Sequence, residues 1–104
     1  MSTARLDALR RMARDKPDDP RLQFGLAVEL LKAGHTREGV DALRAYLTLA
    51  EDEGNAWGRL GAALEELGEV VEAREAYRKG VEIAARRGHD ALTEELLEAL
   101  QALG

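Results

Sequence analysis

The sequence predicts an all-α protein, an array of stacked helix-turn-helix units with about six helices. Three observations lead there. The composition is 45% hydrophobic and 34% charged, rich in Ala, Leu, Glu and Arg, with 4% aromatics and two prolines, a balance that favours helices over sheets or disorder. Apolar residues such as Trp57, Leu60, Gly61 and Leu64 recur at three- and four-residue spacings, which place them on one helical face. Finally, the chain overlays on itself when shifted by 34 positions: Leu26 falls on Leu60, Leu30 on Leu64, Gly34 on Gly68, Glu38 on Glu72, Ala42 on Ala76 and Gly54 on Gly88. Glycines and leucines that stay in register at element boundaries mark an internal repeat.

The elements follow from local chemistry. A first helix over 3–16 is ended by Pro17, which disfavours a helical conformation in the residue before it. Its segment Leu6-Asp-Ala-Leu9-Arg10 overlies Val40-Asp-Ala-Leu43-Arg44 and, 34 positions further, Ala76-Tyr77-Arg78. The first helix is therefore of the second type in each pair, with its first-type partner missing. Asp19-Pro20 supplies an N-cap side chain and a proline at the first helical position, so a second helix runs to about Ala33 and closes on Gly34. A third begins at Thr36 as its cap and reaches about Ala50. Gly54-Asn55 stops that unit and caps a fourth, which ends near Leu67 on Gly68. The fifth spans about 70–87 and stops at Gly88, with Arg86 and Arg87 at the negative end of its dipole. Asp90 caps a last helix to Leu103. Here the 34-residue shift fails, and a shift of 36 places Leu96, Leu97 and Leu100 over Leu60, Gly61 and Leu64. It reads as a capping helix with a polar outer face.

The organisation expected is thus one domain over 1–104: an orphan second-type helix at 3–16, one repeat at 20–50, another at 55–87, and a cap at 90–103. A single pair cannot bury both of its stripes, so each unit depends on its neighbours. Within the fourth helix, the bare surface of Gly61 lets a neighbouring helix approach closely.

The run Trp57-x2-Leu60-Gly61-x2-Leu64 followed by Ala73-x3-Tyr77 resembles the tetratricopeptide repeat (TPR), a helix-turn-helix unit of about 34 residues. The resemblance covers nearly the whole chain, is strongest over 57–77, and is weaker where Gln23 and Gly39 replace the family's Trp and Ala. It implies a right-handed superhelical TPR-type array and a protein-protein interaction module or scaffold that binds a peptide or helix in its concave groove, without catalysis. It also implies which residues line that groove: Arg21, Phe24, Val28 and Leu31 of the second helix, and Asn55, Gly58, Arg59, Ala62 and Glu65 of the fourth, extended by Glu94 and Glu98. Such a groove is apolar at one end and acidic at the other, suited to a partner with apolar and basic residues. Phe24 and Leu31 have two readings, as anchors for the partner or as core. The carboxylate clamp of some family members is not reproduced, because Phe24 and Val28 stand where its polar residues would be wanted, leaving Asn55 and Arg59. The alternative function is a self-assembling structural protein, a homodimer through an N-terminal apolar face of Leu6, Leu9 and Met12 left half covered by the missing helix.

Other classes are disfavoured. A net charge of -5 repels phosphate backbones, which argues against nucleic acid. No stretch approaches the roughly 20 apolar residues of a membrane span. The absence of cysteine and of an apolar leader at the start of the sequence suits a soluble protein of the cytoplasm. No cofactor, metal or catalytic residue is expected. His35 and His89 sit in separate turns without metal-ligand spacing, adjacent pairs such as Glu65-Glu66 and Glu94-Glu95 point in different directions on a helix, and Gly54, Gly58 and Gly61 do not form a phosphate loop.

Overall fold

The computed structural model describes residues 3–104, which hold six α-helices and no strand. They fall into two compact units, one up to Ala50 and one from Glu51 onward. The first contains α1 (Thr3–Asp15), α2 (Pro20–Lys32) and α3 (Thr36–Leu49). The second contains α4 (Asn55–Glu66), α5 (Val70–Arg86) and α6 (Asp90–Leu103). All boundaries lie within one residue of those expected from sequence.

In the first unit, α2 and α3 form the complete pair and α1 packs on α2. Leu30, Val40 and Leu43 are wholly buried, joined by Leu6, Ala13, Leu26 and Ala27. Asp19 caps α2 by accepting from the Arg21 N–H at 3.0 Å, with Pro20 at the first helical position. Gln23 stands at the repeat position of Trp57 and is buried. Its amide donates to the carbonyls of Ala13 and Pro17, both at 3.4 Å, thereby satisfying acceptors at the end of α1. Arg10 of α1 grips Glu38 of α3 with two 2.7 Å bonds, and the guanidinium holds that carboxyl below its ordinary range.

The second unit repeats the pair as α4 and α5, with α6 packed on α5. Its core is Ala56, Leu60, Ala63, Leu64, Ala73, Ala76, Tyr77, Ala84 and Leu96. Glycines set the closeness of these contacts. A Cβ on Gly61 would lie 2.7 Å from the Tyr77 ring, and Cβ atoms on Gly58 and Gly80 would lie 2.6 and 2.8 Å from the Leu96 methyls. Leu96 is therefore a knob seated between glycines of two helices.

The helix ends correct three expectations. Gly34, Gly68 and Gly88 do take the left-handed conformation, with φ of 85°, 77° and 74°. The next residue bonds back five positions in each case, His35 to Leu30, Glu69 to Leu64 and His89 to Ala84, which is the Schellman closure. This tight turn leaves room for only one more residue, and that residue's carbonyl starts the next helix. His35 and His89 accept from the Gly39 and Thr93 N–H groups at 2.9 Å. Thr36 and Asp90 are thus first helical residues rather than caps, and neither His35 nor His89 supplies a side-chain cap. Nor does Asn55 cap α4. Gly54 holds that position, and the Asp52 carboxylate accepts from the Gly54 and Ala56 N–H groups at 2.8 Å.

Candidate functional site

A groove of about 360 Å³ opens in the second unit. The exposed side of α4 gives it Asn55, Gly58, Arg59 and Ala62, and Tyr77 of α5 lies at its base. The opposite wall comes from α6, through Leu92, Glu95, Leu96 and Ala99. The spacing explains the wall on α4: 55, 58, 59 and 62 share one helical face, while Leu60, Gly61 and Leu64 turn the other way into the core. The same division runs along α6, where Leu92, Leu96 and Ala99 form one stripe and Glu95 stands beside it.

The groove combines an apolar floor with three polar groups: the Asn55 amide, the Arg59 guanidinium and the Glu95 carboxylate. A volume of this size accommodates one or two side chains of a bound peptide and falls in the range of ligand pockets. Tyr77 is 4% exposed, and its hydroxyl donates to Glu65 Oε1 at 2.9 Å. Burial, followed by the bond to Glu65 and that residue's charge, pushes the phenol up to about 12. The ring is consequently a neutral, fixed part of the wall. Among the described residues no group of three or more His, Cys, Asp or Glu is placed to hold a metal, and no helix is long and apolar enough to cross a membrane.

Of the residues expected in a groove, the structure brings together Asn55, Gly58, Arg59 and Ala62. Glu65, exposed beside them, serves Tyr77 instead of lining the groove. From the last helix it is Glu95, not Glu94 or Glu98, that reaches the lining. Leu92, Leu96 and Ala99 went unnoticed in the sequence, although the 36-residue shift already placed Leu96 over Leu60. On α2, Arg21 is exposed, while Phe24, Val28 and Leu31 are half-buried. Neither reading of Phe24 and Leu31 holds alone. The Phe24 ring tilts against Tyr46 of α3 at a centroid distance of 4.9 Å, and Leu31 fills the space that Gly39 leaves, yet both keep an open edge.

The proposed N-terminal face divides similarly. Leu6 is 4% exposed and belongs to the first unit's own core, Leu9 is half-buried, and Met12 is 49% exposed. At the other end of the chain, the outer side of α6 is not wholly polar, because Leu97 remains 39% exposed.

A family model described as tetratricopeptide repeat matches residues 1–104. The TPR repeat-containing protein PA0015 of Pseudomonas aeruginosa is 26% identical over 98 residues, which are 94% of this chain and 93% of that one. Among solved structures, protein BPP2914 from Bordetella parapertussis is similar with a TM-score of 0.79 and 27% identity, covering 99% of this chain and 89% of that one. PcrH, in its crystal structure with the chaperone binding region of PopD, is similar in fold at a TM-score of 0.83 and 16% identity, covering 94% of this chain and 74% of that one.

Proposed function

The chain belongs to the tetratricopeptide repeat family, and from that premise we propose that it is a non-catalytic protein-interaction module whose groove between α4 and α6 takes a peptide or helix. The observation that carries this reading is the groove itself, about 360 Å³ in volume, with an apolar floor and Asn55, Arg59 and Glu95 around it. An apolar side chain of the partner settles over Ala62, Leu92 and Ala99. Asn55 and Arg59 hydrogen-bond the partner's polar groups, and Glu95 selects a basic residue beside the apolar anchor. The fold-level match to PcrH, a structure that holds the chaperone binding region of PopD, supports the class of occupant and nothing finer.

Peptides pairing one large apolar residue with a neighbouring lysine or arginine test this by fluorescence anisotropy. Binding should weaken by about tenfold or more, at least about 1.4 kcal/mol, in Ala62→Arg, which fills the groove. Glu95→Lys should weaken the basic peptides and leave neutral ones unchanged. If no such peptide binds, or if Ala62→Arg binds as well as the parent, the groove is not the site.

The second reading, a homodimer across the α1 face, retains Leu9 and Met12 and loses Leu6 to the core. The exposure of Met12 favours it, and sedimentation equilibrium of Met12→Glu beside Leu97→Lys decides it.

A further inference from the structure

The repeat register shows that the outermost helices each present a face whose counterparts in the complete pairs are buried or half-buried. In the complete pair of the second unit, α5 covers α4 with the stripe Ala73, Tyr77, Gly80 and Ala84, all of them buried. The contacts are specific. Tyr77 lies against Gly61, Gly80 against Gly54 and Trp57, and Ala84 against Gly54. Shifted back by two repeats of 34, that stripe becomes Arg5, Leu9, Met12 and Lys16. Leu43 and Tyr77, the repeat counterparts of Leu9, are 0% and 4% exposed, whereas Leu9 is only half-buried and Met12 is 49% exposed. Among residues 3–104 no first-type helix covers this stripe.

The opposite holds for α6. Its 36-residue alignment on α4 turns Gly54, Trp57 and Gly61 into Asp90, Thr93 and Leu97. Gly61 is buried under Tyr77 and Ala27, in the equivalent place on α2, is 0% exposed, but Leu97 is 39% exposed. This face points away from the peptide groove, which α6 lines with Leu92, Glu95, Leu96 and Ala99.

We propose that these two faces complete each other between copies of the chain, with α1 of one molecule docking on the Asp90–Thr93–Leu97 face of α6 in the next as the missing second helix of that pair. The register makes the fit explicit. Tyr77 against Gly61 becomes Leu9 against Leu97, and Gly80 against Trp57 becomes Met12 against Thr93. Each large-small contact is replaced by one of similar combined size, the kind of exchange that packing tolerates. Ala84 against Gly54 becomes Lys16 against Asp90, an ion pair. At the other end of the stripe, Arg5, 63% exposed, falls at the C-terminal turn of α6, where the dipole favours a cation. The helices as wholes are complementary: α1 carries four arginines against two aspartates, and α6 carries four carboxylates and no cation.

The contact is heterologous, each copy using a different surface on either side, so association continues beyond the dimer. One helix docked on another buries less than about 1,200 Å² in total, the scale of weak interfaces, so the oligomers are concentration-dependent and weaken in salt.

Sedimentation equilibrium up to about 1 mM tests the proposal. The parent chain should show masses that rise past the dimer with concentration. Met12→Glu and Leu97→Lys, both at exposed positions, should each be monomeric with unchanged helicity. An equimolar mixture of the two should then form a dimer and stop there, because it contains one intact α1 face and one intact α6 face. Ala62→Arg, in the groove, should associate as the parent does, which separates this inference from the peptide-binding reading. A parent that stays monomeric throughout overturns the proposal, as does a mixture that fails to dimerise. Loss of association in Met12→Glu alone, with Leu97→Lys unaffected, overturns it in favour of a symmetric α1–α1 dimer.

Discussion

Gly61 is the residue at which closeness of packing can be read most directly. A methyl group there would meet three carbons of the Tyr77 ring, two at 2.7 Å and one at 2.9 Å. The ring has little freedom to yield, being 4% exposed and tied through its hydroxyl to Glu65. Gly61→Ala should therefore destabilise by about 1–3 kcal/mol, the usual cost of overpacking a tight core, although in an unpacked helix alanine is the better residue. Denaturant unfolding followed by far-UV circular dichroism measures the change. A gain in stability would mean that α4 and α5 are further apart than described. Glu65 shows why side-chain function was hard to place from sequence. The family resemblance implied a groove residue there, but the partner that claims it lies 12 positions away, on the next helix.

For whole elements, the informative case is the start of α4. Gly54 at φ 116° offers no capping side chain, and Asp52, two residues earlier, binds both the Gly54 and Ala56 N–H groups at 2.8 Å. Asp52→Ala should cost about 0.5–2 kcal/mol, the range for a lost N-cap, while Asn55→Ala should cost much less. Comparative thermal melts decide this, and equal losses would return the capping role to Asn55. The element that departs most from expectation is α6. Its inner stripe is held by Leu96 between Gly58 and Gly80, its groove side contributes Glu95, and its outer side leaves Leu97 open where a polar face was expected.

Across the molecule, two contacts connect stability to pH from opposite ends of the scale. Glu38, bonded by Arg10, has a depressed pKa, so the stability it adds is present at neutral pH and is lost as pH falls through the folded-state value, below the ordinary carboxylate range. Tyr77 has a raised pKa of about 12. Its contribution is complete below the ordinary tyrosine value near 10 and is lost as pH rises from there toward 12, since the folded state then binds the extra proton. The two groups lie in different units. Acid should therefore loosen the α1–α3 contact first and alkali the α4–α5 contact first, which amide exchange resolved by residue would show. Tyr77→Phe should flatten the alkaline limb between pH 10 and 12, and a limb that remains unchanged would rule out Tyr77 as its cause.

The sequence by itself determined the helices, their order and their repeat register, because capping, glycine termination and apolar spacing are local and recur every 34 residues. The family resemblance grouped Asn55, Gly58, Arg59, Ala62 and Glu65 on the fourth helix, and the first four share one face that stays together wherever the helix packs. Only the tertiary structure decided what meets each face. That Glu95 faces the groove and Glu94 does not depends on how α6 is rotated against α4 and α5, which Leu96 fixes by entering the space between two glycines. That Leu6 is core while Met12 and Leu97 stay open depends on which neighbouring helix is present to cover them, a contact between segments far apart in the chain that no local spacing encodes.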